Sequence, residues 1–313
     1  MAELDIPRPH AVLPRARRKG FLAFCALLSA LIAGLLVSPV GAVAGRRGST
    51  GDPQERRGTP GAHAAARPSA TAGNEPSEPT TTALPDVAGI PGRTYARLLN
   101  ADGPVRCGAG TQPLVALTFD DGPGVLTRQT VQLLRERGMT ATFFLVGKLL
   151  GESRFEALPA LDAGLGAVGD HTWDHVSMLG MSQTELQTQI ARTRGAIARM
   201  SGERVVLFRP PLGQHDARVD AYVRSLGMLT VLWSIDSRDS QGASADQIYR
   251  TVRDSLSAGD IVLLHEGRGT TQRALPRILD LIEARGLTPV TVPQLLAQDP
   301  PTNAQLHTDT CPA

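Results

Sequence analysis

From about Pro104 onward, short apolar runs of strand length alternate with stretches of helical periodicity, and this alternation constrains the fold more than any other feature. Residues 114–119 and 141–146 read as buried strands, with a helical pattern carrying Val131, Leu133 and Leu134 between them, ahead of Gly138. Further strand runs stand at 165–168, 205–208, 229–233, 261–264 and 288–290. Ser182 with Glu185 forms a capping box ahead of Leu186, Ile190 and Ile197. Ser244 with Gln247 forms a second, and Gly259 stands where that helix is expected to stop. Parallel strands need a crossover, usually helical, so about seven such alternations predict a parallel α/β architecture, either an incomplete barrel or a doubly wound sheet.

The chain before this region has a different character. Arg15, Arg17, Arg18 and Lys19 precede an uncharged apolar run over 21–43, and Ala42, Val43 and Ala44 offer a small-x-small site. Residues 1–44 therefore read as a secretory signal or an uncleaved membrane anchor, and either places the remainder outside the cytoplasm. Residues 45–103 read as a flexible linker, because the stretch up to about Asp86 is rich in Gly, Pro, Ala, Ser, Thr and Arg and has no periodic apolar pattern to offset its chain entropy. Residues 104–313 are expected to be the folded domain; an apolar fraction of 42% suffices for its core. Export favours a bridge between Cys107 and Cys311, the alternative being two unpaired thiols near mobile ends. A net charge of +2 gives no basis for a nucleic-acid partner, a membrane contact is expected only through the N-terminal segment, and a monomer is favoured.

The chemistry-bearing residues follow the strand runs. Asp120 and Asp121 follow the first, His171, Asp174 and His175 the third, Arg209 the fourth, Asp236 and Asp239 the fifth, and His265 the sixth. In parallel α/β folds the carboxyl ends of the strands form one face, so these groups are expected to converge. The spacing of His171 and His175 places both imidazoles on one side of a helical turn, suited to one ion. Two His and one Asp leave positions open on a zinc-like ion, as catalytic sites do. Of the adjacent Asp120 and Asp121, one can bind the metal while the other stays free as a base; a plain turn is the competing reading.

Five segments in order resemble the motifs of the polysaccharide deacetylases, also called the NodB homology domain or carbohydrate esterase family 4. They are Thr118-Phe119-Asp120-Asp121-Gly122-Pro123, His171-Thr172-Trp173-Asp174-His175, Phe208-Arg209-Pro210-Pro211-Leu212-Gly213, Asp236-Ser237-Arg238-Asp239 and Leu263-Leu264-His265. The resemblance implies a distorted, incomplete (β/α)7-type barrel. It implies one divalent metal on Asp121, His171 and His175, zinc in most relatives and cobalt in some. Asp120 would be the general base, held by Arg209, and His265 the general acid, held by Asp239. The backbone N–H of Leu212 would face the oxyanion, and Pro211, Ser240 and Leu263 would lie near the substrate. Ser240 replaces the usual Trp of the fourth motif and Leu212 a frequent aromatic of the third, which alters the walls of the acetyl pocket. Trp233, inside a strand run, reads as core.

The expected activity is removal of N-acetyl groups from N-acetylglucosamine units of peptidoglycan or chitin-like glycans outside the cell. An O-acetyl esterase using the same site and a non-catalytic wall-binding module are the alternatives.

Overall fold

The computed structural model describes residues 84–151, 166–308 and 310–311. The expected signal or anchor and most of the expected linker lie outside the described residues. In chain order these form α1 (Gly92–Leu99), β1 (Leu114–Gly122), α2 (Thr127–Glu136), β2 (Ala141–Leu145), β3 (Gly166–Asp170), α3 (Gln183–Ser201) and β4 (Leu207–Phe208). There follow α4 (Ala217–Ser225), β5 (Leu229–Thr230), β6 (Ile235–Asp236), α5 (Ala245–Ser255), β7 (Ile261–His265), α6 (Gly269–Ala284), β8 (Thr288–Val290), α7 (Val292–Gln298) and α8 (Asn303–Thr308).

Every strand pairing is parallel, and the order is β5-β4-β3-β2-β1-β7-β6. This is the sequential order of a barrel, with β7 returning to β1 and the ring open between β5 and β6. The doubly wound alternative is thereby excluded, because its strand order would reverse at a switch point. One edge of β1 is shared: its start pairs with β8 through Leu114–Ala116, and its end pairs with β2 from Thr118. Its other edge pairs with β7, which sets Asp120 level with His265.

The alternation of side chains along β1 sorts the core into two shells. Val115, Leu117 and Phe119 face outward under the helices, in a cluster with Phe143, Leu186, Ile190, Leu275 and Leu279. Leu114 and Ala116 face inward with Phe144, Leu207, Val231 and Ile261. Farther along the same inward face stand Thr118 and then Asp120, both buried. The barrel interior is thus apolar at the strand starts and polar at their carboxyl ends.

The structure departs from the sequence expectations at four places. The expected linker ends too late, since Ile90, Tyr95 and Leu98, on and beside α1, are buried in the inner cluster. A single isolated helix of this length carries too weak a periodicity to stand out from a Gly- and Pro-rich stretch. The run 229–233 contains only the two-residue β5, and the short β6 follows it unannounced. The capping boxes at Ser182 and Ser244 both form, but α5 stops at Ser255, before Gly259. Gly259 instead has φ 87°, and a Cβ there would stand 2.8 Å from the backbone nitrogen of Gly110. Finally, 171–175 is not a helical turn, as described below.

Cys107 and Cys311 form a disulfide across a sequence separation of 204. Among the described residues no helix is long and apolar enough to cross a membrane. Closing so long a loop stabilises the fold by up to about 5 kcal/mol on chain-entropy grounds. Reduction, or the paired Cys107→Ala and Cys311→Ala substitution, is expected to lower the urea midpoint and to steepen the slope, because the unfolded chain becomes less compact, as read by circular dichroism.

Candidate active site

The five strand ends converge on a cavity of about 410 Å³, whose wall includes Asp120, Asp121, His171, His175, Leu212, Trp233, Asp236, Ser240, Leu263 and His265. Most of the residues expected at the site are therefore brought together. Pro211 is buried and is not on the wall, and Asp174 points instead to Gln189, whose Nε2 donates to it at 2.9 Å.

Arg209 organises the floor. It is 0% exposed and makes four hydrogen bonds, to Thr118 Oγ1 (2.8 Å), Asp120 Oδ1 (2.8 Å), Val231 O (3.1 Å) and Leu232 O (2.9 Å). Its guanidinium carbon lies 4.1 Å from the Phe144 ring centroid. A charge buried this far from water persists only when paired and hydrogen-bonded, and here it is both. Asp120 keeps Oδ2 free of Arg209, and that oxygen faces His171 Nε2 at 3.7 Å.

Asp121, His171 and His175 place one ligand atom each within 4.8 Å of one another. His171 donates from Nδ1 to the carbonyl of Arg209 at 2.7 Å, which leaves an Nε2 lone pair facing Asp121 Oδ1 at 3.6 Å. His175 Nε2 is 3.0 Å from the same oxygen. Despite these short distances, Asp121 Oδ1 is buried without a well-aligned hydrogen-bond partner. A buried carboxylate oxygen facing a nitrogen lone pair is unfavourable unless a cation lies between them, so the donor set fits a divalent ion. Burial raises the Asp121 carboxyl, but His175, His171 and His265 outweigh it and lower it to about 2. Burial lowers His171, against the opposing pull of Asp120, and favours the neutral imidazole a metal needs.

The backbone achieves this convergence by irregularity. Pairing register shifts between Phe119 and Gly122, and Asp121 has φ 70°. Adjacent strand residues would otherwise face opposite sides; the shift brings both carboxylates to the cavity. Thr172 (φ 67°) and His175 (φ 57°) are also left-handed, so the two imidazoles meet through a loop and not through the helical turn expected from their spacing. Leu212 (φ 60°) and Arg238 (φ 60°) complete the group. Five of the six left-handed non-glycine residues described thus sit in these loops, where strain concentrates at functional sites. The Leu212 side chain is 69% exposed.

On the opposite wall His265 Nδ1 lies 2.7 Å from Asp239 Oδ1, while Asp239 Oδ2 accepts from the His265 backbone N–H (2.8 Å) and from Thr271 Oγ1 (2.5 Å). Burial raises Asp239, but its bonds to His265 and Thr271 prevail and lower it. Burial lowers His265, but the hydrogen bond to Asp239 and the charges of Asp120, Asp239 and Asp121 outweigh it and raise it.

The family profile described as polysaccharide deacetylase matches residues 108–231. A peptidoglycan-N-acetylglucosamine deacetylase of Bacillus cereus is 34% identical over 191 residues, covering 59% of this chain and 89% of that protein. The chain belongs to the polysaccharide deacetylase family. A family 4 carbohydrate esterase from Streptomyces lividans, solved with acetate, has 34% identity and a TM-score of 0.55, covering 60% of this chain and 98% of that one. A bifunctional xylanase/xylan deacetylase of Cellvibrio japonicus is 32% identical over 184 residues, but the chain spans only 27% of its length. As a member of the polysaccharide deacetylase family, the chain has the open barrel and site arrangement described above.

Several site residues were missed by sequence reasoning. Trp233 is half-buried: it packs against the inner apolar cluster, as expected of a core residue, and also reaches the cavity wall beside Gly213. Thr118 and Thr271 position Arg209 and Asp239; the place of Thr118 at the head of the first motif was the only signal. Glu266 packs under the loop after β1, where burial pushes its carboxyl up to about 8. Arg268 also lines the cavity.

Arg209→Met is expected to destabilise the protein by about 3–5 kcal/mol, because it leaves Asp120 buried without its partner. Urea unfolding checks this; the paired Arg209→Met and Asp120→Asn change is expected to recover part of the loss.

Proposed function

We propose that this chain is an exported, metal-dependent N-deacetylase that releases acetate from N-acetylglucosamine units of a peptidoglycan-like or chitin-like glycan. The observation that carries this reading is the convergence of Asp121, His171 and His175 around one unsatisfied carboxylate oxygen, with Asp120 and His265 flanking the same cavity. Two imidazoles and one carboxylate favour zinc, with cobalt as a second choice. The ion, when bound, would polarise the acetyl carbonyl and acidify a water.

The residues of the chain supply the rest. Asp120 has one oxygen held by Arg209 and the other free to accept the proton of the attacking water. The N–H of Leu212 faces the developing oxyanion, a role supported by its left-handed backbone and outward side chain. His265 is held through Nδ1 by Asp239, which directs Nε2 to the leaving nitrogen. A raised His265 is the imidazolium over a wider range of pH, as an acid requires. Amine departure needs that proton more than alcohol departure does. Thus the intact Asp239–His265–Thr271 arrangement favours the amide, and acetylxylan-type esters are the second reading.

A polymer as substrate is supported by the rim. Val125, Val176, Leu179 and Leu212 are exposed apolar residues on loops leaving the carboxyl ends of β1, β3 and β4. Sugar rings present apolar faces that such residues cover. Export is supported by the basic and apolar N-terminal pattern together with the Cys107–Cys311 bridge.

The test is acetate release from chito-oligosaccharides, peptidoglycan and acetylxylan, with zinc or cobalt and with chelator. Chelator is expected to abolish release, and Asp120→Asn or His265→Ala each to lower kcat by about 10²–10⁴-fold with metal still bound. An active Asp120→Asn variant would overturn the scheme, and no release from any polymer would favour a binding module. The pH dependence has a definite sign. Activity that needs the imidazolium is lost as pH rises through the raised His265 value. Asp239→Asn removes the partner that raises it, so the alkaline limb of kcat/KM is expected to move to lower pH.

A further inference from the structure

Arg268 lies in the loop between β7 and α6 and lines the catalytic cavity with Asp120, Asp121, Asp236 and His265. Its Nε is buried without a hydrogen-bond partner, and its side chain makes no hydrogen bond or ion pair with any described residue. None of the carboxylates around it is bonded to Arg268, although Asp121 Oδ1 and Glu266 Oε1 are themselves without a hydrogen-bond partner. Asp120 is held by Arg209, and Asp121 faces His171 and His175. Asp236 accepts from the backbone N–H of Arg238 at 2.8 Å and from Gln241 Nε2 at 3.2 Å. Asp239 is engaged with His265 and Thr271. Glu266, two residues away, accepts from Thr127 Oγ1. A guanidinium on a cavity wall with an unsatisfied N–H and no acid of the cavity bonded to it lacks an anion. The surroundings add to the demand: Arg268 immediately precedes the first turn of α6, a 16-residue helix whose free N–H groups carry positive potential.

An acetamide or an acetyl ester is neutral, so neither leaving nor attacking group supplies that anion. We infer that Arg268 binds a carboxylate carried by the glycan itself, on the acetylated sugar or its neighbour, and so selects acidic glycans over neutral ones. This rests on the deacetylase reading above and narrows its substrate class. The carboxylate chemistry has two sources: a lactyl ether on an N-acetylhexosamine, as in peptidoglycan strands, or a uronic acid, as in glucuronic-acid-bearing acetylated xylan. A planar, bidentate pairing suits either.

The test uses the full chain with zinc and measures kcat/KM for acetate release. The substrates are lactyl-bearing glycan strands, acetylated glucuronoxylan, and each of these after methyl esterification of its carboxylates. A charge-assisted bond of the usual strength predicts that esterification lowers wild-type kcat/KM by about tenfold to a hundredfold, mainly through KM, on the source that is recognised. In Arg268→Gln the esterification penalty is expected to fall below about twofold, and in Arg268→Lys to be intermediate, since the point charge remains without the fork. The arm that shows the penalty identifies the source. A wild-type enzyme indifferent to esterification of both glycans overturns the inference without needing any variant. So does an equal penalty in wild type and Arg268→Gln, and so does relief of inhibition by free acetate in Arg268→Gln with no change in the esterification ratio, which would assign the guanidinium to product. Absence of acetate release from every substrate would be a different failure, that of the deacetylase reading.

Discussion

A buried guanidinium ties the strand ends of this barrel to one another. Arg209, at the end of β4, reaches across the interior to β1. It bonds the carbonyls of Val231 and Leu232 beyond β5 and the side chains of Thr118 and Asp120 on β1. Its own carbonyl fixes the tautomer of His171. One residue thus connects the strand ends, presents a free Asp120 oxygen to the cavity, and aims a lone pair of His171 at Asp121. Because the guanidinium is fully desolvated, each of these acceptors is also part of what keeps the charge tolerable inside the protein. The catalytic geometry and the stability of the barrel interior are therefore not separable at this point.

The cavity is divided electrostatically. Asp121, His171 and His175 gather around a single oxygen on one side, where burial lowers His171 and the neighbouring histidines lower Asp121. On the other side His265 is only partly buried, and its value is raised, because Asp239 accepts from it directly. The two histidines are pushed in opposite directions: burial prevails at fully buried His171, and a direct carboxylate partner prevails at His265. The left-handed residues at Asp121, Thr172, His175, Leu212 and Arg238 are the backbone cost of aiming these groups, borne by a rigid parallel sheet beneath them.

Much of this was legible in sequence because strands in a parallel sheet all present their carboxyl ends to one face. Given the alternation, Asp120, Asp121, His171, His175, Arg209, Asp239 and His265 had to meet, and they do. What misled was local geometry. The spacing of His171 and His175 suited a helical turn, while two left-handed residues bring the rings together instead. Trp233 read as core and does pack on the inner cluster, but its second face, on the cavity wall, could not be read from a run whose strand ends at Thr230. Helix α1 was read as linker because its few apolar residues gain meaning only against the barrel floor. Arg268 was invisible because nothing in sequence reports that a side chain lacks a partner.

The sequence by itself determined the sheet type, the residues available for chemistry and the strand end on which each would stand, since periodicity and order are properties of the chain. The tertiary structure alone decided how those residues point. Whether both Asp120 and Asp121 enter one cavity depends on a register shift against β2, and whether Asp121 Oδ1 is left without a partner depends on loops from different strands. These are long-range facts of packing, in which desolvation and pairing are set by groups up to about a hundred and fifty residues away in sequence, where local propensity carries no information.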